Sequence, residues 1–431
     1  MIDYSSILLR NKPDEGERER IRLIVLEVGK RISEYCRNMG IDADPVLVGS
    51  AAKGTNLKSA DIDIFVRFSR LYKEREMEKM GVSIGKLIIE DGVEKYAEHP
   101  YVTGHYKGFK MDIVPSYRLN PGEKKISSVD RTPLHTEFVL RNLSEGMKDE
   151  VILLKLFMKH FGIYGSEVKV SGFSGYVCEL LVWKYGSFEN VVRKFAELSG
   201  RLMVGEVGKN NIPESPVFIV DPVDSSRNAA AALSEESLST MKVASKLFLF
   251  QPNASFFDQK KMIERPKYAD RGTAIRVFTL PRPDVVDDTI FPQAVKFRNS
   301  LLTLLESGGF HPLSSEIATD GQIQVLIECR NPFSPEIIFK EGPPADSPNV
   351  IDFIEKYRCT AERGPYIRGN RIWVEVRALP ESIADFVSSH IDELSIGKNL
   401  SRLKEGLEIH DPLMDNIRME VLDRFYSKRI I

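Results

Sequence analysis

The chain has 431 residues with a formal net charge of −2; 42% of the residues are hydrophobic and 28% are charged. These values are typical of a globular protein with two to four domains, and a near-neutral chain can bind nucleic acid only through a local basic surface. No apolar run approaches the ~18 residues of a membrane span, and the polar beginning of the sequence predicts no secretory signal peptide. Four cysteines lie far apart without the spacing of a zinc site, which predicts reduced thiols in a cytoplasmic protein.

The first part of the chain, residues 1–145, is predicted to form a mixed α/β domain. Residues 15–39 have the apolar spacing of an amphipathic helix, with a stripe that runs from Ile21 to Tyr35. A polar helix is expected at about 72–90, and strands at residues 46–48, 61–68, 100–107 and 109–117. This order favours a small sheet backed by helices.

Residues 146–254 form a largely helical second part. Thr132 and Pro133 have the residue types of a helix N-cap and first turn. Helices are expected at 147–161, ending before Gly162, and at 174–185 and 188–198. A strand at 217–220 leads to a turn and then to a helix-prone RNAAAAL segment.

The third part, residues 255–431, is predicted to be another α/β unit. Strands are expected at 274–280, 310–316, 322–329 and 371–377, helices at 290–306 and 348–360, and two helices in the tail. The resulting order βαββαβ is the ferredoxin-like arrangement.

The sequence VLVGSAAKGTNLKSADIDIFVRF, residues 46–68, carries the strongest chemical signal. Asp61 and Asp63 are two residues apart in an apolar β-type run, so that both carboxylates point to one face and Ile62 and Ile64 point to the core. Two such carboxylates repel each other, and a bound cation is the usual remedy.

The glycine turn before this strand has features of a phosphate site. Gly49 allows close approach of the backbone, Ser50 lies where a helix begins with free amide groups, and Lys53 follows one turn later on the same side. The loop lacks the Walker pattern. The layout predicts a triphosphate beside a metal-binding carboxylate pair.

A third carboxylate, Asp112, lies in another apolar strand, within GFKMDIVPSYR. If this strand is adjacent to residues 61–68, three carboxylates converge. That set is sufficient to hold two magnesium ions about 4 Å apart for an in-line displacement at phosphorus. The alternative is that the three aspartates are solvated strand residues paired with lysines.

The Gly-Ser motif, the Asp-x-Asp strand and the third strand carboxylate together resemble the polymerase-β-like nucleotidyltransferase superfamily. Four longer stretches narrow the resemblance: SVDRTPLHTEFV (128–139), EVILLKLFMKHFGIYGSEVKVSGFSGYVCELLV (150–182), FIVDPVDSSRNAAAALS (218–234) and GPYIRGNRIWVEVR (364–377). Over nearly its whole length, the chain resembles the archaeal-type (class I) CCA-adding tRNA nucleotidyltransferases.

The resemblance implies roles for individual residues. It assigns the catalytic metals to Asp61, Asp63 and Asp112. It assigns nucleotide contacts to Ser50, Lys53, His135, Lys155 and Tyr164, and matches Arg227, with Asn228 beside it, to the arginine that helps to read the incoming base. Family members can have glutamate at the first carboxylate and arginine at the basic residue, where this chain has Asp61 and Lys53, and lysine cannot make the bidentate contact of arginine.

Each of these nucleotide contacts also has a purely structural alternative. His135, expected at the third position of its helix where anions bind well, could be an ordinary surface or capping histidine. Lys155 interrupts an apolar run and needs an anionic partner unless it reaches the surface. Tyr164 could be core packing, and Arg227 could pair with Asp221 or Asp224.

A basic segment near the end of the chain is the candidate RNA-binding surface. Between residues 356 and 377 there are six basic and two acidic residues, with aromatic residues interleaved. We expect Arg363, Arg368 and Arg371 to contact phosphates and Tyr366 to stack on an unpaired end. The alternative is a solvated strand-turn face.

The resemblance implies template-independent addition of C, C and A to the acceptor end of tRNA, from CTP and ATP, with two magnesium ions and release of pyrophosphate. Two alternatives remain: a poly(A) or oligoadenylate-type polymerase that uses ATP only, and an RNA-binding protein with an inactive head. The oligomeric state is open, and a homodimer is one option.

Overall fold

The computed structural model describes residues 2–96, 99–119, 129–205, 215–258, 271–412 and 419–427. The chain divides into two compact units, residues 1–261 and 262–429. In the described ranges, none of the helices has both the length and the apolar character that a bilayer crossing requires. All four cysteines are free thiols, as predicted.

The first unit begins with a sheet that is covered by helices. Its elements are α1 (Tyr4–Asn11), α2 (Glu15–Asn38), β1 (Ala43–Val48), α3 (Gly49–Lys53), β2 (Ile62–Phe68), α4 (Glu74–Ile88), β3 (Val93–Tyr96), β4 (Pro100–Tyr106) and β5 (Phe109–Tyr117). The strands form one sheet in the order β1-β2-β5-β4-β3. Strands β2 and β5 are parallel, and the other neighbours are antiparallel.

The core of this sheet follows from the alternation in β2. Ile62 and Ile64 are buried against the apolar sides of α2 and α4, so the residues between them face away from that core. The predicted helices and strands are present, and β3 is an additional strand. Cys36 rather than Tyr35 is fully buried at the end of the α2 stripe.

The second part of this unit is built on helices with a small sheet. It contains α5 (Arg131–Asn142), α6 (Glu145–His160), α7 (Gly175–Tyr185), α8 (Phe188–Glu197), β6 (Leu202–Val204), β7 (Val217–Asp221), β8 (Asp224–Asn228) and α9 (Glu235–Phe250). Serine side chains cap the N-termini of α6, α7, α8 and α9. Helix α1 contributes Ile7 to the core of these helices.

Two local predictions in this part are wrong. The N-cap of α5 is Asp130, so Thr132 is the second helical residue and His135 lies beyond the first turn. The RNAAAAL segment is not a helix, since residues 224–228 form β8 and 229–232 a turn. Asn228 ties this segment back to β7 because its side-chain oxygen accepts from the amides of Ile219 and Ala230.

The second unit contains two separate sheets. Its elements are β9 (Ala274–Leu280), α10 (Asp287–Ser307), β10 (Pro312–Ala318), β11 (Ile323–Cys329), β12 (Ile337–Pro344), α11 (Val350–Tyr357), β13 (Arg363–Arg368), β14 (Arg371–Arg377), α12 (Ile383–Ser389), α13 (Lys398–Ser401), β15 (Glu408–His410) and α14 (Glu420–Ser427). One sheet has the order β10-β11-β9-β15 and the other β12-β14-β13.

The expected βαββαβ unit is present in the first sheet, where β9, α10, β10 and β11 are its first four elements and all strand neighbours are antiparallel. Its fourth strand is β15, whereas the strand predicted for that place, at 371–377, belongs to the second sheet. Strand pairing explains the difference, because residues 371–377 (β14) pair with β12 and β13 along their whole length.

Close packing of α4 on the five-stranded sheet of the first unit depends on Gly85. A Cβ atom at Gly85 would lie 2.6 Å from the Val102 side chain. We expect Gly85→Ala to lower the free energy of unfolding by about 1–3 kcal/mol through overpacking. Gly146→Ala, in α6 with nothing within 4 Å, is the matched control and should be neutral or stabilise by up to about 1 kcal/mol. Thermal unfolding measures both, and a stabilised Gly85→Ala protein would contradict this packing.

Candidate active site

Two of the predicted carboxylates meet on neighbouring strands. Asp63 on β2 and Asp112 on β5 are register partners in the parallel pair. Partners in adjacent strands have side chains on the same face, about 5 Å apart. Asp61 immediately precedes β2, and its carboxylate forms an ion pair with Lys110.

The electrostatics of this face reflect crowded negative charge. Burial, followed by the neighbouring Asp112 and Asp61 carboxylates, raises the pKa of Asp63 to about 6. One oxygen of Asp112, Oδ1, is buried and has no hydrogen-bond partner among the residues that the structure describes. A buried carboxylate oxygen without a donor is costly unless another positive group reaches it.

These residues fit a divalent cation. Carboxylate oxygens are the preferred ligands of hard cations. In the described part of the chain Asp112 Oδ1 has no donor, and the charges of Lys110 and Lys53 only partly oppose the raised pKa of Asp63. Within the described ranges, the ligand atoms that already lie within 4.8 Å of one another belong to a different group, Glu74, Glu78 and His99. For Asp61 to join a cation site with Asp63 and Asp112, its carboxylate would have to exchange Lys110 for the cation.

Gly49 leaves room for the Asp63 carboxylate. Its φ is +74°, and a Cβ atom there would lie 2.2 Å from Asp63 Oδ2. Any other residue would be strained and would displace the carboxylate. The Gly49-Ser50 turn and the carboxylate face are thus adjacent.

The two predicted phosphate-binding lysines share one buried anion. Lys53 Nζ donates to Glu179 Oε2 at 2.8 Å, and Lys155 Nζ lies 3.9 Å from Glu179 Oε1. Thr55 links them, because its hydroxyl donates to Glu179 at 2.6 Å and its carbonyl accepts from Lys155 at 2.9 Å. All four residues are buried. Burial lowers the pKa of Lys155, and the Glu179 carboxylate opposes that shift.

Tyr164 lies at the edge of this cluster. The position that a Cβ atom of Gly175 would take is 3.2 Å from the Tyr164 hydroxyl and 3.5 Å from Lys155 Nζ. The glycine at the first position of α7 therefore leaves room between the hydroxyl and the ammonium group. Burial raises the pKa of Tyr164, so the hydroxyl is protonated and can donate.

His135 and Arg227 converge on Asp221. Each contacts Asp221 Oδ2 at 2.9 Å, through His135 Nε2 and Arg227 Nη1. Burial lowers the pKa of His135, and the Asp221 carboxylate opposes that shift. The ion pair between Arg227 and Asp221 was one of the structural alternatives, and the structure contains it.

Asn228 has a structural role in β8. Its amide group makes four hydrogen bonds within the protein, with Ser215, Val217, Ile219 and Ala230. These bonds fix the strand that carries Arg227. A direct contact of Asn228 with a nucleotide stays a prediction.

The family follows from comparison with known proteins. Three family profiles match consecutive parts of the chain: a nucleotidyltransferase domain at residues 30–135, the second domain of tRNA nucleotidyltransferase at 149–258 and the C-terminal domain of CCA-adding enzymes at 271–411. The CCA-adding enzyme of Thermoplasma volcanium is 49% identical over 433 residues, which cover 99% of this chain and 98% of the relative.

This chain belongs to the family of CCA-adding enzymes. The CCA-adding enzyme of Picrophilus torridus is 45% identical with full coverage of both chains, and that of Thermoplasma acidophilum is 44% identical with 99% coverage of each. The polymerase-β-like head expected from the sequence agrees with the nucleotidyltransferase profile. The chain is therefore a nucleotidyltransferase.

For this CCA-adding family member, sequence reasoning missed three residues of the candidate site, Thr55, Tyr176 and Glu179. It named Asp221 only as an alternative partner of Arg227. A signal existed for Glu179, a single acid in the apolar run YVCELLVW, just as Lys155 interrupts VILLKLFM. A buried acid and a buried base in different apolar helices predict each other as partners. Tyr176 had no comparable signal, because aromatic residues in helices usually serve the core.

The four predicted RNA contacts lie in the second unit, on the β12-β14-β13 sheet. Arg363 pairs with Glu375 at 3.2 Å and Arg371 with Glu341 at 2.7 Å, so acids partly neutralise the basic segment. Arg368 lies 5.5 Å from the centroid of the Trp373 ring. The Tyr366 hydroxyl donates to Glu375 at 3.1 Å.

The pKa of Asp63 is higher in the folded protein than its ordinary value near 3.8. Protonation of Asp63 therefore stabilises the folded state at low pH. That stabilisation is complete below about pH 3.8 and is lost as the pH rises through about 6. We expect Asp63→Asn to raise the free energy of unfolding of the cation-free protein by up to about 3 kcal/mol at pH 8, and to change it little at pH 4.

The measurement is thermal unfolding with a chelator at both pH values. The matched control is Asp44→Asn on β1. The Asp44 carboxylate accepts from Arg118 Nε at 2.7 Å, so its replacement should not stabilise the protein at either pH. An Asp63→Asn protein that is less stable than the wild type at pH 8 would contradict the electrostatic account.

Proposed function

We propose that this chain adds C, C and A in turn, without a template, to the 3′ end of tRNA, with CTP and ATP as substrates and pyrophosphate as product. The proposal is carried by the register pairing of Asp63 with Asp112 beside the Gly49 turn. It is supported by full-length similarity to CCA-adding enzymes. We propose the division into parts at 1–145, 146–254 and 255–431 for the catalytic head, the nucleotide-binding middle and the RNA-binding body.

The catalytic face consists of Asp61, Asp63 and Asp112, which would hold two magnesium ions. When bound, these ions supply a lowered pKa for the attacking hydroxyl and neutralise charge on the triphosphate and on pyrophosphate. The RNA 3′ oxygen forms a bond to the α-phosphorus, the bond from that phosphorus to pyrophosphate breaks, and the hydroxyl proton is lost. Asp112, with its unpartnered Oδ1, is the carboxylate nearest the attacking oxygen.

The remaining groups bind and orient the nucleotide. Ser50 and Lys53 on one side, and Lys155 and Tyr164 on the other, position the phosphates, as in-line transfer requires. The lack of a side chain at Gly175, whose Cβ atom would lie 3.2 Å from the Tyr164 hydroxyl and 3.5 Å from Lys155 Nζ, supports a phosphate contact at these two groups. His135 and Arg227 lie together at Asp221 and serve the sugar and base end.

The C-terminal part distinguishes this proposal from a poly(A)-type polymerase. The match to the C-terminal domain of CCA-adding enzymes over residues 271–411 supports tRNA as the substrate. The complete carboxylate set speaks against an inactive head. The free cysteines accord with the cytoplasm as the compartment. A homodimer stays open.

We expect transcripts of tRNA that end before CCA, after C or after CC to be extended to CCA and no further. CTP and ATP are supplied separately and together, with magnesium. Asp112→Asn should lower the rate at every step by at least about 100-fold, because charge stabilisation by metal is worth several kcal/mol. Denaturing gels with labelled nucleotides resolve each addition.

The control is Asp44→Asn, a partly exposed aspartate of the same sheet outside the site, which should retain activity. Long A tails without C would indicate a poly(A)-type polymerase instead. Absence of extension by the wild-type protein under all conditions would leave an RNA-binding protein.

The proposed RNA surface predicts a second, independent result. Arg368→Ala should weaken tRNA binding and reduce the slope of log affinity against log salt by about 1, because one phosphate contact is lost. The control is Arg402→Ala, an exposed arginine of the same unit outside the basic segment. Filter binding at several salt concentrations measures both, and an unchanged slope in Arg368→Ala would remove Arg368 from the interface.

A further inference from the structure

We infer that Asp221 is a positioning residue that sets nucleotide specificity: it holds Arg227 in place to read the base and couples that arginine to the phosphate end of the site through Tyr176. This inference rests on the proposed function, in which Arg227 contacts the incoming base. It concerns a residue that makes the reading possible without itself contacting the nucleotide.

Asp221 is surrounded by donors on all sides. It is 0% exposed at the end of β7, and Oδ2 accepts from Arg227 Nη1 and His135 Nε2, each at 2.9 Å. The other oxygen, Oδ1, accepts from the Tyr176 hydroxyl and the Val223 amide, each at 3.1 Å. Both oxygens are therefore satisfied, and the carboxylate has one fixed orientation.

The charge of Asp221 is as well defined as its position. Burial alone would raise the pKa of Asp221, but donation from His135, Val223 and Arg227 outweighs burial and lowers the pKa to about 2. A buried carboxylate that stays ionised at neutral pH gives Arg227 a strong and directional anchor. The Arg227 side chain remains about one third exposed, which leaves its other nitrogens able to donate to a ligand.

Tyr176 connects this anchor to the phosphate-binding lysine. Its ring stacks on His135 at 3.9 Å between centroids, with 23° between the planes. Lys53 Nζ lies 5.3 Å from the centroid of the Tyr176 ring while it donates to Glu179. Lys53, Tyr176, His135, Asp221 and Arg227 thus form a continuous series of contacts from one end of the site to the other.

The consequence concerns discrimination between nucleotides. A single arginine on a strand can distinguish bases only if its guanidinium is held in one place, because a mobile donor satisfies several base edges equally well. Replacement of Asp221 by asparagine removes the charge and at least one acceptor, so Arg227 and His135 lose their common partner. The kcat/KM for incorrect nucleotides should therefore rise relative to that for the correct nucleotide.

The test compares kcat/KM for CTP, ATP, UTP and GTP on transcripts that end before CCA and after CC. In Asp221→Asn, we expect the preference for the correct over the incorrect nucleotide to fall by about tenfold or more, since discrimination of this kind depends on fixed polar partners. In Tyr176→Phe, which keeps the ring and loses only the hydroxyl, the preference should fall by about threefold.

The ratio of correct to incorrect addition separates positioning from folding. A purely structural defect lowers the active fraction and reduces addition of all four nucleotides alike. The matched control is Glu328→Gln in the second unit, a buried carboxylate that accepts from Thr273 at 2.7 Å and Arg271 at 2.9 Å. Its loss should lower thermal stability and leave the ratio unchanged.

Thermal unfolding shows which variants fold. If Asp221→Asn does not fold, the nucleotide preference of Tyr176→Phe tests the inference. Unchanged preferences in the folded variants, with an active wild-type protein, would overturn the inference and leave the proposed function intact. A wild-type protein that adds neither C nor A would instead overturn the proposed function and, with it, this inference.

Discussion

Repulsion between two carboxylates on adjacent parallel strands is the constraint on which the head of this protein depends. Asp63 and Asp112 face each other in register, and burial together with like charge raises the pKa of Asp63 to about 6. The surrounding sheet must hold this pair in place, and the fully buried Ile62, Ile64 and Ile113 provide that support. The repulsion is greatest when both carboxylates are ionised, and a bound cation would relieve it.

The same constraint explains the residues around the pair. Gly49 must lack a side chain, because the Asp63 carboxylate occupies the position of its Cβ atom. Lys110 neutralises Asp61 at the rim, where exchange with another cation requires little desolvation. The negative face and the Gly49-Ser50 turn, the proposed phosphate site, are therefore adjacent.

Two fully buried carboxylates organise the cationic side of the site in similar ways. Glu179 holds Lys53 and Lys155, which come from α3 and α6, and Asp221 holds His135 and Arg227, which come from α5 and β8. Each carboxylate joins groups that are far apart in the sequence. Because buried charges interact strongly and tolerate few arrangements, these two anions fix the geometry of the site more firmly than exposed ion pairs could.

Local sequence pattern by itself determined most of the helices and strands, the Asp61-Asp63 alternation and the Gly49 turn, because hydrophobic periodicity, serine caps and glycine conformations act over a few residues. Only the tertiary structure decided the partners of Lys53 and Arg227 and the sheet to which residues 371–377 belong. It also decided that the helix-prone RNAAAAL segment begins in a strand, β8. Pairing of distant strands and burial of distant charges depend on the whole fold, so a pattern within one segment does not contain them.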